Sequence, residues 1–416
     1  MRALLCNIKK QSLITFLLFA MVAAGSILCS AYSKSNIALP ANELDTSYAG
    51  SAACINCHKA IADSFFATAH YTTSRIAAEE FIKGSVVEGK NHFSYNQFVD
   101  VKIEKKDSAF FQTVYINGEP SRSQQMDIVV GSGKKGQTFL YWNENLLYQL
   151  PVSYYIPMGS WCNSPGYPAS LPRFNRLVSG RCLECHASNA VIEDAGKNVN
   201  YFDRNSIVYG ISCERCHGPS AKHVAFHTGH PAEKIGHFVV NEKKLDRQQN
   251  LDRCALCHAG VRNQVKPAFS FKTGDRLDDF SLPVYNADSA ASLDVHGNQY
   301  GLLMSSKCFK KSQLTCSSCH SSHAREVNDP VLYSRRCAGC HNSAANLECK
   351  IKPVTGMILT DNCIDCHMPA LPSKAIFLQL QDAAKSTADL VRTHRIAIYP
   401  AAVKEFIRQA NAKHKN

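Results

Sequence analysis

The sequence predicts mainly short α-helices and irregular chain organised around stacked, flat prosthetic groups, with a small antiparallel β module inserted near the start. Three observations predict it. The pentapeptide C-x-x-C-H recurs seven times; the chain between copies is irregular and rich in Pro, Gly and Ser; and residues 91–160 lack the repeat and read as strands. With 45% hydrophobic and 19% charged residues, the composition is that of a globular protein and excludes a disordered chain.

The repeats are Cys54–Cys57–His58, Cys182–Cys185–His186, Cys213–Cys216–His217, Cys254–Cys257–His258, Cys316–Cys319–His320, Cys337–Cys340–His341 and Cys363–Cys366–His367, hereafter motifs one to seven. They take 14 of the 19 cysteines, and this spacing is the attachment site of a c-type haem. Residues three and four apart share one face of a helical turn. Two thiols therefore reach the two vinyl groups on one porphyrin edge, and the following His swings under the ring to the iron. Structural zinc also uses C-x-x-C pairs, but it does not demand a His after every second Cys. A thioredoxin-like redox pair fails on the same ground. The cofactor call is seven haems c, and the fold class is that of a multihaem cytochrome c.

Each segment then follows in order. Arg2, Lys9 and Lys10 precede an apolar stretch from Leu13 to Leu28 and a small-residue exit at Cys29-Ser30-Ala31. Residues 1–31 thus read as a secretory signal, with an uncleaved anchor as the alternative. Export across the inner membrane to the periplasm or cell envelope follows. Residues 45–90 form the first haem-binding segment. Residues 91–160 form the haem-free β insert, with Asn117-Gly118 as a hairpin turn and Gly131–Gly136 as a plain glycine turn. Residues 161–370 form a six-haem domain, and 371–416 a helical tail, interrupted from Thr393 to Pro400. Cys162, Cys308 and Cys349 remain in the mature chain; an oxidising compartment favours a Cys308–Cys349 disulfide, leaving Cys162 free or paired with Cys29.

Seven irons need up to seven further ligands, and ten histidines lie outside the motifs. His70 follows motif one on a helical run of apolar and small residues. His223 comes after a Gly-Pro turn. His323 is too close to His320 to serve the same iron. His296 sits beside Gly297. These four lead, followed by His227 and His394; His230 and His237 rank lower, and His92 and the near-terminal His414 read as solvated. Met126, Met158, Met304, Met357 and Met368 are thioether candidates for which core packing is the default.

The stretch Cys213 to Val224, CERCHGPSAKHV, resembles bacterial multihaem cytochromes with a cytochrome c-552/4-type domain, relatives of the nitrifier tetrahaem cytochrome and, more distantly, of hydroxylamine oxidoreductase. The segments Tyr48 to His70 and Ser306 to His323 are similar to the same family, and the likeness touches Thr393-His394-Arg395. It covers most of 48–90 and 180–370. What it implies is electron transfer through mostly bis-His irons, with His70, His223, His323 and His394 as distal ligands. The chain departs from the multihaem nitrite reductases in having no C-x-x-C-Lys site.

The formal charge of +12 suggests nucleic acid, yet seven haems would bring about 14 propionate charges, so the Lys/Arg surplus reads as counter-charge. No nucleic-acid partner is expected. The leading expectation is an electron carrier exchanging with redox partner proteins, such as a membrane quinol oxidoreductase or another cytochrome. A multihaem oxidoreductase for a small nitrogen or sulfur compound, with one open iron, is the alternative. A partner-docking role for the β insert is the third.

Overall fold

The computed structural model describes residues 48–413 apart from 195, 197–198, 285–292, 327–328, 346–348, 350–360, 382 and 384. The secretory-signal reading, Met357 and His414 lie outside the described residues.

Helix α1 (Ser51–Phe66) carries motif one and departs from helical geometry at His58, where φ is −114° and ψ 35°. The chain then enters an antiparallel β region. A four-stranded meander comprises β2 (His92–Asn96), β3 (Val99–Lys106), β4 (Ala109–Ile116) and β5 (Glu119–Gln125), in that order. The second sheet uses β1 (Ser74–Ile76), β6 (Ile128–Val130), β7 (Gly136–Asn143), β8 (Leu146–Gln149) and β11 (Arg176–Leu177). β9 (Val152–Tyr155) pairs with β7, and β10 (Ser160–Asn163) with β9. Asn117 and Gly118 both have positive φ, 54° and 84°, which a twisted two-residue hairpin demands.

Alternation explains the core. On β3, Val101 and Ile103 point inward with no exposure, while the residues between them do not. They meet Phe93, Phe110, Phe139, Leu150, Val152 and Trp161 in one apolar cluster. Trp161 donates its Nε1–H to the Ser85 carbonyl at 3.0 Å and lies so close to Gly84 that a Cβ there would fall inside the indole.

The β region is larger than 91–160, since β1 precedes that span and β11 follows it. Nor does it stand apart. Ile128, Leu140 and Leu147 pack on Leu183, within motif two, and on Ala187, Phe202 and Ile207. β content also exceeds the expectation of mainly short helices. Two-stranded ladders join β12 (Ala187–Asn189) to β15 (Val208–Tyr209), β13 (Ile192–Asp194) to β14 (Asn200–Phe202), and β16 (Arg262–Gln264) to β17 (Ser281–Pro283).

The remaining helices are short. They are α2 (Gly180–Glu184), α3 (Cys213–His217), α4 (Ala221–Gly229), α5 (Arg247–His258), α6 (Gln299–Met304), α7 (Lys307–Lys310), α8 (Pro330–Ala338), α9 (Cys363–His367) and α10 (Pro400–Lys413). α5 starts at a reciprocal cap: Asp246 accepts from Gln249 N at 2.8 Å, and Asp246 N donates to the Gln249 side chain at 2.9 Å.

The C-terminal tail corrects the sequence reading. Its first part is a hairpin, β18 (Ala370–Leu378) with β19 (Thr387–Arg392), and only α10 is helical. Ile376, Leu378 and Leu380 recur every second residue, the strand period. Leu378 and Leu380 bury against Tyr155 and Cys162, so the hairpin closes over the β region. Cys162 is sealed there, donating to the Ser153 carbonyl at 3.4 Å, and burial pushes its thiol up to about 12. No disulfide joins Cys308 and Cys349. Met126 packs in the β core, as the default reading expects.

Candidate haem-binding site

Motifs one, three, four and seven lie within α1, α3, α5 and α9, whereas motifs two, five and six begin on α2, on the 3-10 turn Cys316–Ser318 and on the last turn of α8 and run past their ends. The decisive geometry concerns what faces the motif imidazoles. The ring centres of His58 and His223 lie 6.4 Å apart, with planes 17° from parallel. Those of His217 and His323 lie 5.9 Å apart, only 6° from parallel. His70 faces His258 at 6.2 Å, and His394 faces His320 at 6.1 Å.

That recurring gap is too wide for ring contact. A metal–imidazole bond of about 2 Å on either side, plus the distance from nitrogen to ring centre, spans roughly 6 Å. The residues present therefore fit an iron between each pair. In all four cases a motif imidazole meets one of the histidines outside the motifs, never another motif imidazole.

Hydrogen bonds at Nδ1 leave Nε2 for a metal. His217 donates to the Val240 carbonyl at 3.2 Å, His223 to that of His237 at 2.8 Å, and His367 to that of Ala397 at 2.9 Å. The Nδ1 of His186 meets Thr73 Oγ1 at 3.0 Å. Burial lowers His70, His186 and His394 to about 4, with nearby histidine charge adding to the effect, and burial lowers His258, His320 and His323 too. These rings are neutral near pH 7, the form that binds metal.

Two predicted distal histidines are not placed opposite a motif imidazole. His227 leans on His223 at 4.6 Å and, through Nε2, accepts from His237 N. His296 turns Nδ1 toward the buried Asp389 at 3.8 Å, where Tyr155 and Lys135 also converge at 2.7 and 2.9 Å. Burial pushes Asp389 up, but the hydrogen bonds from His296, Tyr155 and Lys135 outweigh it and hold the carboxyl at about 2. Among the described residues, no second imidazole faces His186 or His367.

The residues between the paired cysteines also matter, which the sequence reading missed. Glu214 accepts from Ala49 N, Gly50 N and Ser220 N at 2.8–2.9 Å. Glu184 is buried, bridged to Arg181 at 2.8 Å and Arg215 at 3.6 Å, and accepts from Phe269 N. The available signal was a charged residue inside a motif otherwise destined for an apolar cofactor face.

A family model described as cytochrome c554 and c-prime matches residues 172–218, which hold motifs two and three. The multiheme cytochrome MtrA of Shewanella baltica (strain OS185) is 24% identical over 180 residues, 38% of this chain and 51% of that protein. The chain thus spans about half the length of this curated relative. In fold, the chain is similar to the outer cell wall cytochrome OcwA in its crystal structure, with TM-score 0.54 and 16% identity over 86% of this chain and 81% of that one. Motifs, fold and matches together support a multihaem c-type cytochrome.

Proposed function

We propose that the chain binds seven covalently attached c-type haems and moves electrons among them in the cell envelope. The observation that carries this is the set of four imidazole pairs held 5.9–6.4 Å apart. When bound, haem supplies a one-electron iron couple. The chain does the rest. The paired thiols would hold each haem covalently, and the motif histidine would bind its iron. His223, His70, His323 and His394 would supply a second imidazole at motifs one, four, three and five. The engaged Nδ1 atoms fix ring orientation. Ligation by two imidazoles, without Met, favours low potentials.

Redox partner proteins, such as a membrane quinol oxidoreductase or another cytochrome, are the proposed source and sink. Among the described residues, no helix is long and apolar enough to cross a membrane. Intact mass of the exported protein tests the reading: it expects the increment of seven haems. No increment, or zinc in their place, overturns it.

One observation favours a second reading. His186 and His367 face no second imidazole among the described residues, as an iron open to a small nitrogen or sulfur compound would require. A high-spin signal lost on cyanide or nitrite binding supports that reading, and its absence counts against it. The β insert as an independent docking module fares worse, because it shares its core with motif two and the C-terminal hairpin.

A further inference from the structure

The motif imidazoles differ in what holds their Nδ1 atoms. His217 and His367 donate there to main-chain carbonyls, those of Val240 and Ala397, at 3.2 and 2.9 Å. His258 turns toward the side-chain carbonyl oxygen of Gln299 at 3.4 Å. Two others meet hydroxyls: His320 meets that of Tyr333 at 3.4 Å, and His186 meets that of Thr73 at 3.0 Å. We infer that Thr73 is a positioning residue for motif two, whose hydroxyl orients His186 and sets the reduction potential of the iron proposed there. This deepens the electron-transfer reading above and rests on it.

Thr73 comes from outside the motif, just before β1, and the chain around it is gripped from two sides. On one side its carbonyl accepts from Gly131 N at 2.7 Å, just past β6, and Ser74 pairs with Val130 on that strand. On the other, the His70 carbonyl accepts from Ile211 N at 2.9 Å. Gly210 packs so closely here that a Cβ would fall against the Tyr71 carbonyl. Ser74, 2% exposed, donates to the His186 carbonyl and accepts from Gly210 N at 3.0 Å. Two consecutive side chains thus reach His186, Thr73 at the ring and Ser74 at the main chain. The imidazole of motif two is held by the edge of the β region.

The chemistry follows from acceptor strength. When Nε2 binds a metal, the neutral ring carries its proton on Nδ1, so His186 donates and Thr73 Oγ1 accepts. A carbonyl oxygen accepts more strongly than a hydroxyl. The harder the Nδ1 proton is pulled, the more electron density the ring passes to the metal, and the more the oxidised iron is stabilised. The proton stays on nitrogen throughout, and the couple is one electron taken up or released by one iron. Val240 and Ala397 offer main-chain oxygens whichever side chain they carry. At motif two the acceptor is itself a side chain, so a single substitution resets it.

Redox titration of the exported holoprotein, followed by visible absorbance, tests the inference. Thr73→Val keeps the side chain's shape and removes the acceptor. One haem component should move to higher potential while the others stay in place. Thr73→Ser, which keeps the hydroxyl, should titrate as the unaltered protein does. A Thr73→Val titration that superimposes on that of the unaltered protein overturns the inference. So does a shift shared by all the haems, or a Thr73→Ser shift as large as that of Thr73→Val. An unaltered protein without covalent haem would overturn the underlying reading instead.

Discussion

The β region and the short helices α3, α4 and α8 are built on opposite plans. In the β region, Val101, Ile103, Phe139, Leu147, Leu150 and Val152 have no exposure, and the core is made of the chain's own side chains. In the motif-bearing α3 the one buried residue is Glu214, in α8 it is Ser334, and α4, which carries no motif, has none. A helix of five to nine residues is marginal in water without a packed face. The difference teaches that the β region brings its core in its sequence, while α3, α4 and α8 leave their packing to the haems proposed to bind beside them.

The widest test of that contrast is to withhold haem attachment. The motif helices should then lose structure while β3, β4 and β7 keep theirs, read as fast hydrogen exchange across 213–229 and 330–341 beside slow exchange across 99–116 and 136–143. Uniform protection across both regions would erase the contrast. Next in size, Phe139→Ala should cost about 3–5 kcal/mol in denaturant unfolding through cavity formation, with the haem spectrum unchanged.

A smaller effect should come from the motif side. Glu326 is held at about 2 by hydrogen bonds from Arg336, which outweigh its burial, and Arg336 in turn ties motif six to motif five. A carboxyl lowered in the folded state stabilises fully above its unfolded value, near 4.5, and that contribution is lost as pH falls from there through about 2. Glu326→Gln should remove this acid dependence from the melting temperature and cost about 1.5–3 kcal/mol at neutral pH. The smallest effect belongs to the exposed Lys59–Asp63 pair on α1: Lys59→Ala should cost about 0.3–0.5 kcal/mol.

The same contrast explains what was legible in advance. The motifs announce themselves because covalent attachment fixes residue type and spacing within five residues. The strands of 91–160 were readable because alternation is local, as was the Asn117-Gly118 turn. The tail hairpin was missed because two interpretations compete for Ile376, Leu378 and Leu380, and only packing against Tyr155 and Cys162 decides between them. Distal histidines could be ranked but not matched to irons: His70 meets His258 and His394 meets His320 across long stretches of chain, a tertiary fact with no local signature. His296 shows the limit of the glycine argument, since its neighbour Gly297 gave no hint that Asp389 would engage its ring.

The account stands most directly on the imidazole pairs, and His70→Ala probes one of them through electron paramagnetic resonance of the fully oxidised holoprotein. The expected result is the conversion of one low-spin iron, the one bound by His258, to a high-spin signal, with the other irons unmoved. A spectrum identical to that of the unaltered protein would mean that His70 binds no iron and that the 6.2 Å gap holds nothing.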